Sequence, residues 1–155
     1  DRSRWGSRGL AMKGSCLCGA IGFEIDGPYP KLYQCHCSLC RKQGGSVSNT
    51  GLIVAADKFR WIAGEPLIGK WQRSTGFRSH FCTRCGAPVP NPLRDTGTIW
   101  VPSGLIDGDE PLEIGAQLYI DSKAPWDRLP SGGLHFETAP GLPELIELLH
   151  SRSTR

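Results

Sequence analysis

The stretches Cys16-Leu17-Cys18-Gly19 and Cys82-Thr83-Arg84-Cys85-Gly86 decide how this chain folds. Each contains two closely spaced cysteines followed by a glycine, whose backbone freedom lets both sulfurs point into one hole. Two such pairs supply four thiolates, the tetrahedral ligand set of a closed structural zinc site. Because the pairs are far apart in the sequence, one metal ion would join the first strand to the middle of the chain and stabilise the fold. The predicted ligands of this ion are Cys16, Cys18, Cys82 and Cys85.

The other cysteines lie in Cys35-His36-Cys37-Ser38-Leu39-Cys40. Three thiolates within six residues can reach one metal ion, but they leave one tetrahedral position open. A site with three protein ligands and an open position is typical of catalytic zinc. The seven cysteines of the chain therefore divide into a structural group of four and a reactive group of three.

Three other interpretations of the cysteines compete with this one. A disulfide framework is disfavoured because seven is an odd number and no secretory signal follows Met12. Buried free cysteines acting as small apolar residues rarely fall in such closely spaced pairs. The third alternative is a second structural zinc site whose fourth ligand is His36, His80 or His135. The His36 ring, however, is expected to point away from a metal held by its two neighbours.

The composition predicts one folded, mainly β domain. Hydrophobic residues make up 39% and charged residues 21% of the 155 residues, which excludes a disordered chain, and no apolar run approaches the ~18 residues of a membrane span. Gly and Pro number 20 and 12, which favours short strands joined by turns. Residues 20–26 alternate with period two, placing Ile21, Phe23 and Ile25 on one face. Further strands are predicted at 31–35, 47–54, 59–62, 67–72, 76–82, 98–101 and 116–120, a helical turn at 38–43 ended by Gly44-Gly45, and a short C-terminal helix at 143–150.

The charge of the chain argues against nucleic acid as a partner. The formal net charge is +3, but most of it comes from arginines near the amino terminus, and the remainder is almost neutral. We expect Met12 to be the natural start and residues 1–11 to be a cloning remnant or an upstream extension. A chain starting there has no apolar leader, so a cytoplasmic, reducing location is expected.

Three segments resemble the glutathione-dependent formaldehyde-activating enzyme (GFA) family, which includes CENP-V/GFA domain proteins. They are G-S-C-L-C-G-A-I at 14–21, C-H-C-S-L-C-R-K-Q-G-G at 35–45 and F-C-T-R-C-G at 81–86, and S-K-A-P-W at 122–126 supports them. The resemblance implies a β-tent zinc-binding fold of short antiparallel strands over residues 12–140, followed by a helix and tail at 141–155. It also implies a structural zinc held by the group of four cysteines and a more labile zinc held by Cys35, Cys37 and Cys40, where glutathione binds.

The resemblance predicts a zinc-dependent carbon–sulfur lyase or synthase that adds the glutathione thiolate to formaldehyde or a related small aldehyde. Cys35, Cys37 and Cys40 would be the catalytic residues, with glutathione as co-substrate. Basic residues would clamp the two glutathione carboxylates and offset the charge of the thiolates; the candidates are Arg41, Lys42, Arg73 and Lys123, with Arg78 as a further one, while Trp71, Phe77 and Trp126 could line the pocket.

Two other function classes stay open at this point. One is a non-enzymatic zinc protein that binds or carries glutathione or another thiol, which would show binding without turnover. The other is a zinc-stabilised scaffold for protein or nucleic-acid recognition, which the near-neutral charge disfavours. The sequence predicts no membrane partner.

Overall fold

The computed structural model describes residues 11–151. The expectation for residues 1–11 concerns a segment of which only Ala11 is described, and residues 152–155 of the predicted tail also lie outside the described part. In chain order the elements are β1 (Met12–Ser15), β2 (Gly22–Ile25), β3 (Leu32–Cys35), α1 (Ser38–Gly44), β4 (Asn49–Ala55), β5 (Phe59–Ala63), β6 (Ile68–Gln72), β7 (Arg78–Cys82), β8 (Asn91–Pro92), β9 (Thr98–Pro102), β10 (Ile106–Asp107), β11 (Ile114–Leu118), β12 (Leu134–His135) and α2 (Leu142–His150). This confirms the prediction of a mainly β chain of short strands with a short C-terminal helix.

Two compact units make up the described chain, and each is built from two separate segments. The first contains the described residues up to Tyr29 together with Ile53–Pro111, and the second contains Pro30–Leu52 together with the described residues from Leu112 onwards. The domain boundaries predicted at residues 12 and 140 stay a prediction.

The first unit contains a four-stranded antiparallel sheet with the order β10-β1-β2-β5. As the period-two pattern predicts, Ile21, Phe23 and Ile25 are fully buried. The ring of Phe23 stacks on Phe59 with centroids 5.5 Å apart, and it meets Trp61 edge-on at 6.2 Å. Such aromatic contacts add to the burial of apolar area that holds the sheet together.

A two-stranded ribbon of the first unit, β6 with β7, ends at Cys82, the first cysteine of the second pair. His80 and Cys82 are buried, while Phe77, Ser79 and Phe81 alternate with them and are only half-buried. Cys82, which is buried at the end of this strand, belongs to the metal-ligand cluster described below. Strands β8 and β9 form a further antiparallel pair.

In the second unit, β11 pairs in parallel with both β3 and β12, whereas β3 pairs with β4 in antiparallel fashion. The expectation that the strands are antiparallel is therefore met except at β11. A parallel pair needs a long connection, and about half of the chain lies between β3 and β11. The register places Gln117, Gln34 and Thr50 in one row across β11, β3 and β4.

Both helices belong to the second unit. Helix α1 begins after Cys37, whose side chain accepts a hydrogen bond from the Cys40 backbone, and ends at Gly45 in the left-handed conformation. It is longer than the predicted single turn. Helix α2 confirms the predicted C-terminal helix; it has a proline in its first turn and buries Leu145 and Leu149 on one face. Neither helix in the described part of the chain has the length and apolar character needed to cross a membrane.

Candidate metal centres

The first cluster of thiols lies in the first unit. Cys16 and Cys18 come from the connection between β1 and β2, Cys82 ends β7, and Cys85 lies in the turn that follows. The four sulfur atoms lie within 4.8 Å of one another, with Sγ of Cys18 3.6 Å from that of Cys16 and 3.8 Å from that of Cys82. Zinc–sulfur bonds of about 2.3 Å would place tetrahedral sulfurs about 3.8 Å apart. The donor set therefore fits a closed tetrahedral metal site.

The glycines after both pairs have the backbone conformation that the sequence predicts. Gly19 and Gly86 have φ angles of 81° and 80°, in the left-handed region that a side chain disfavours. These turns also direct backbone N–H groups at the sulfurs: Ile21 donates to Sγ of Cys16 at 3.3 Å and Arg84 to Sγ of Cys82 at 3.4 Å. Such donors stabilise thiolates and therefore metal ligation.

The pKa values of the thiols in this cluster are shifted in opposite directions. The Ala87 backbone N–H is the largest influence that lowers the pKa of Cys85, to about 6. The Ala20 backbone group acts in the same direction on Cys18, but desolvation and the neighbouring thiols outweigh it and raise its pKa to about 11. Four adjacent thiolates repel one another, so full ionisation of the cluster calls for a bound cation.

The second cluster lies in the second unit, around the start of α1. Cys35 ends β3, Cys37 precedes the helix, and Cys40 lies in its first turn. Their sulfur atoms lie within 4.8 Å of one another. Cys35 and Cys40 are buried and Cys37 is half-buried. The helix start thus brings together three thiols that neighbour each other in sequence.

The three thiols of this cluster shift one another's pKa values in opposite directions. Hydrogen bonds from the Cys35 and Cys40 thiols lower the pKa of Cys37 to about 2. The pKa of Cys35 is raised to about 12, mainly by its hydrogen bond with Cys37. The Cys35 and Cys37 thiols likewise raise the pKa of Cys40. A divalent cation that binds all three sulfurs would displace the protons that these thiols carry.

The histidines proposed as a fourth ligand make other contacts. Nε2 of His36 donates to Oε1 of Gln117 at 2.6 Å, so its ring points away from the thiols as predicted. His135 is exposed, with Nε2 3.2 Å from the Gly132 carbonyl oxygen. His80 is buried on β7, and burial, Lys70 and Arg78 lower its pKa. Within residues 11–151, the second metal-ligand cluster contains the three cysteines and no further histidine, cysteine or carboxylate.

All seven cysteines are free thiols, and each belongs to one of these two clusters. The structure therefore places together the groups of four and three that the spacing predicts. Metal binding by them stays a prediction.

The basic residues predicted to bind glutathione are spread over both units. Arg41 and Lys42 follow Cys40 on α1, and Nε of Arg41 donates to the His36 carbonyl at 3.3 Å. Nζ of Lys123 lies 3.5 Å from the Asp127 carbonyl, also in the second unit. Arg73 lies in the first unit, in the exposed segment after β6. The structure thus brings Arg41 and Lys42 onto the helix of the second cluster.

The other residues predicted to bind glutathione or to line the pocket are either hydrogen-bonded within the fold or exposed. Nη1 of Arg78 donates to the carbonyl groups of Pro92 and Arg94 at 2.9 and 3.1 Å, so this guanidinium holds local structure. Trp71 and Trp126 are 52% and 69% exposed. They are therefore not core residues, and a role in lining a pocket stays a prediction.

Sequence analysis assigned no role to two buried residues near the second cluster. Gln117 is 1% exposed and Asp127 is 8% exposed, and both approach the His36 ring. A polar residue inside the apolar stretch Ala116-Gln117-Leu118 is the signal that could have indicated a buried polar partner.

Comparison with known proteins identifies the family to which this chain belongs. The model of the family described as glutathione-dependent formaldehyde-activating enzyme matches residues 11–122. The chain belongs to this family, which confirms the resemblance found in its cysteine motifs.

Relatives and a solved structure agree with this assignment. The chain is 33% identical over 89 residues to a Halomonas elongata protein whose name includes the words glutathione-dependent formaldehyde-activating enzyme; the match covers 52% of this chain and 55% of that protein. It is 27% identical over 112 residues to a Schizosaccharomyces pombe protein named an uncharacterized lyase, with 72% of this chain and 80% of the other covered. The match thus spans about half of the first relative. A crystal structure of a Rhodobacter sphaeroides protein has a TM-score of 0.54 at 24% identity, covers 64% of this chain and 92% of that one, and supports the fold.

Proposed function

We propose that this chain is a zinc-dependent carbon–sulfur lyase or synthase that binds glutathione at Cys35, Cys37 and Cys40 and joins its sulfur to formaldehyde or a related small aldehyde. The observation that carries the proposal is the convergence of these three thiols without a fourth ligand among the described residues. A closed site needs no more ligands, whereas a site with three can accept one from a small molecule. The family and the names of both relatives agree with this chemistry.

Cys16, Cys18, Cys82 and Cys85 would hold the structural zinc, and the three remaining cysteines would hold the second one. A zinc ion bound there supplies an electropositive ligation position at which an incoming thiol loses its proton. Cys35 and Cys40 are buried and Cys37 is half-buried, so the incoming thiol would reach the cluster beside Cys37.

The reaction itself is an addition without any change of oxidation state. The sulfur of the glutathione thiolate forms a bond to the aldehyde carbon, the carbonyl π pair moves to oxygen, and that oxygen takes up one proton. With formaldehyde the product is S-(hydroxymethyl)glutathione. In the lyase direction the same carbon–sulfur bond breaks and the aldehyde is released.

Basic side chains on α1 would orient glutathione beside the thiols. Three thiolates and one divalent cation leave a formal charge of −1, and a fourth thiolate makes it −2, so nearby cations are favourable. Arg41 and Lys42 follow Cys40 directly, and glutathione carries two carboxylates that an arginine or lysine can bind. Lys123 and Arg73 are the further proposed contacts.

Formation of the glutathione–formaldehyde adduct, followed by NMR or by loss of free thiol, tests the proposal. The wild-type chain is expected to accelerate it above the spontaneous rate, and Cys37→Ser is expected to return it to that rate. Ser46→Ala, an exposed change after α1, is the matched control and should keep full activity. Binding of glutathione by calorimetry without acceleration would instead indicate a thiol carrier, and absence of both would refute the proposal.

A further inference from the structure

His36, which lies between Cys35 and Cys37, makes a contact with each of its polar atoms. The His36 backbone N–H donates to the Leu118 carbonyl at 2.9 Å, and its own carbonyl accepts from Nε of Arg41 at 3.3 Å. Its side chain is 2% exposed. This residue is therefore held by the neighbouring strand β11 and by the helix that follows.

One side of the His36 ring is joined to a row of polar side chains across the sheet. Nε2 donates to Oε1 of Gln117 at 2.6 Å, and Nε2 of Gln117 donates to Oε1 of Gln34 at 2.8 Å. Nε2 of Gln34 in turn donates to Oγ1 of Thr50 at 3.0 Å. Gln117, Gln34 and Thr50 are cross-strand partners, so the row is as rigid as the strands that carry it.

The other side of the ring faces two more oxygen atoms. Nδ1 lies 3.2 Å from the Val47 carbonyl oxygen and 3.3 Å from Oδ2 of Asp127. Apart from this approach, Oδ2 of Asp127 is buried and has no hydrogen-bond partner among the described residues. The ring is thus clamped between Gln117 on one side and Val47 and Asp127 on the other.

We infer that His36 is a positioning residue whose clamped ring fixes the backbone of Cys35-His36-Cys37, so that these two thiols converge with that of Cys40. Rotation of this segment would separate the sulfurs, because Cys35 and Cys37 flank the clamped residue. Partners that orient metal ligands typically change metal affinity 10- to 100-fold when they are removed. The inference deepens the proposed function and rests on the second metal site.

Titration of the full metal-free chain with Co²⁺ tests the inference, since its absorption reports the number and geometry of thiolate ligands. The wild type is expected to bind two equivalents, the tighter one at the four-thiol cluster. Gln117→Leu should bind the second equivalent about 10- to 100-fold more weakly and with a changed absorption band, while the first is unchanged. Gln117→Glu keeps an oxygen opposite the ring and should recover most of the affinity.

Two further variants keep the test decisive. Asp127→Ala removes an oxygen from the other side of the ring and should also weaken only the second equivalent; it decides the matter if Gln117→Leu does not fold. Gln72→Leu, on the exposed part of β6, is the matched control and should bind as the wild type does.

Unchanged second-site affinity and absorption in Gln117→Leu and Asp127→Ala would overturn the inference, as would equal weakening of both equivalents or failure of Gln117→Glu to recover. A wild-type chain that binds one equivalent would refute the metal site itself. Failure of the proposed reaction shows separately, as two bound metal ions without accelerated adduct formation.

Discussion

Sγ of Cys18 lies 3.8 Å from Sγ of Cys82, although 64 residues separate them in the sequence. A metal ion bound here would hold the two ends of that long segment together, and its binding free energy would add to the stability of the fold. We therefore expect a strong chelator to lower the free energy of unfolding by more than about 4 kcal/mol.

Denaturant unfolding with and without chelator measures this effect. Cys82→Ser should show a similar loss and little further response to the chelator. Thr83→Val is the neighbouring control: it loses a hydrogen bond to the Leu67 carbonyl, which should cost about 1 kcal/mol, and its metal content should not change. Equal stability of chelated and untreated wild type would contradict the prediction.

The second cluster should contribute a separate metal equivalent. Cys40→Ser removes one of three ligands and is expected to reduce the zinc content from two ions per chain to one, because two thiols bind zinc poorly. Elemental analysis of the purified protein measures the ratio. Ser38→Ala in the same turn should keep two ions, and two ions in Cys40→Ser would show that this thiol is not a ligand.

The basic residues of α1 should affect substrate binding more than turnover. Arg41→Gln and Lys42→Gln each remove one charged partner for a glutathione carboxylate, and the KM for glutathione should rise about tenfold for each. Steady-state kinetics at fixed formaldehyde concentration measure KM and kcat separately. Lys58→Gln, an exposed change outside the proposed glutathione contacts, is the control. An unchanged KM in both α1 variants would assign the carboxylate contacts elsewhere.

Close packing of β1 on β2 leaves no room for a side chain at residue 14. A Cβ atom added to Gly14 would overlap the ring of Phe23, its cross-strand partner. Gly14→Ala should therefore destabilise the chain by about 2 kcal/mol, measured by thermal or denaturant unfolding. Gly104→Ala meets nothing within 4 Å and should be nearly neutral; a neutral Gly14→Ala would show that the two strands separate easily.

Tyr29 should make stability depend on alkaline pH. Burial, and then Glu110 and Asp26, raise its pKa above the usual 10.0, although the Met12 backbone contact acts against them. The folded state therefore holds this proton more tightly than the unfolded state. The contribution of Tyr29 to the free energy of unfolding is complete below pH 10. It is lost as the pH rises from there through the raised pKa.

Unfolding of Tyr29→Phe at several pH values measures that dependence. The variant loses the hydrogen bond from the Met12 N–H at 2.8 Å and the one to the Ile25 carbonyl at 3.2 Å, so we expect a loss of about 1 kcal/mol at neutral pH. Above pH 10 the difference from the wild type should shrink. A constant difference up to pH 12 would contradict the raised pKa.

Local patterns in the sequence predicted the parts of the molecule that depend on near neighbours. Cys37 and Cys40 converge because a helix starts between them, and β2 is visible because Ile21, Phe23 and Ile25 alternate. Both features need only the geometry of a turn or a strand. The grouping of the two distant cysteine pairs followed from counting ligands rather than from local structure.

Features that depend on distant partners could not be predicted in this way. The two-residue strands β8, β10 and β12 are defined only by the strands with which they pair. The parallel pairing of β11 likewise depends on β3, a strand far away in the sequence. The burial of Gln117 likewise depends on His36 and Gln34. No periodicity within one segment encodes these contacts.

The order of the cysteines has a consequence for the nascent chain. Five thiols, from Cys16 to Cys40, are synthesised before Cys82 appears, while the four-thiol set still lacks half of its ligands. A metal ion captured early would therefore meet sulfurs from both future sites at once. For both native sites to form, the metal ion must exchange rapidly out of such a mixed set of ligands. Expression in excess zinc would therefore favour folding intermediates that hold zinc with the wrong thiols, and it would not speed up maturation.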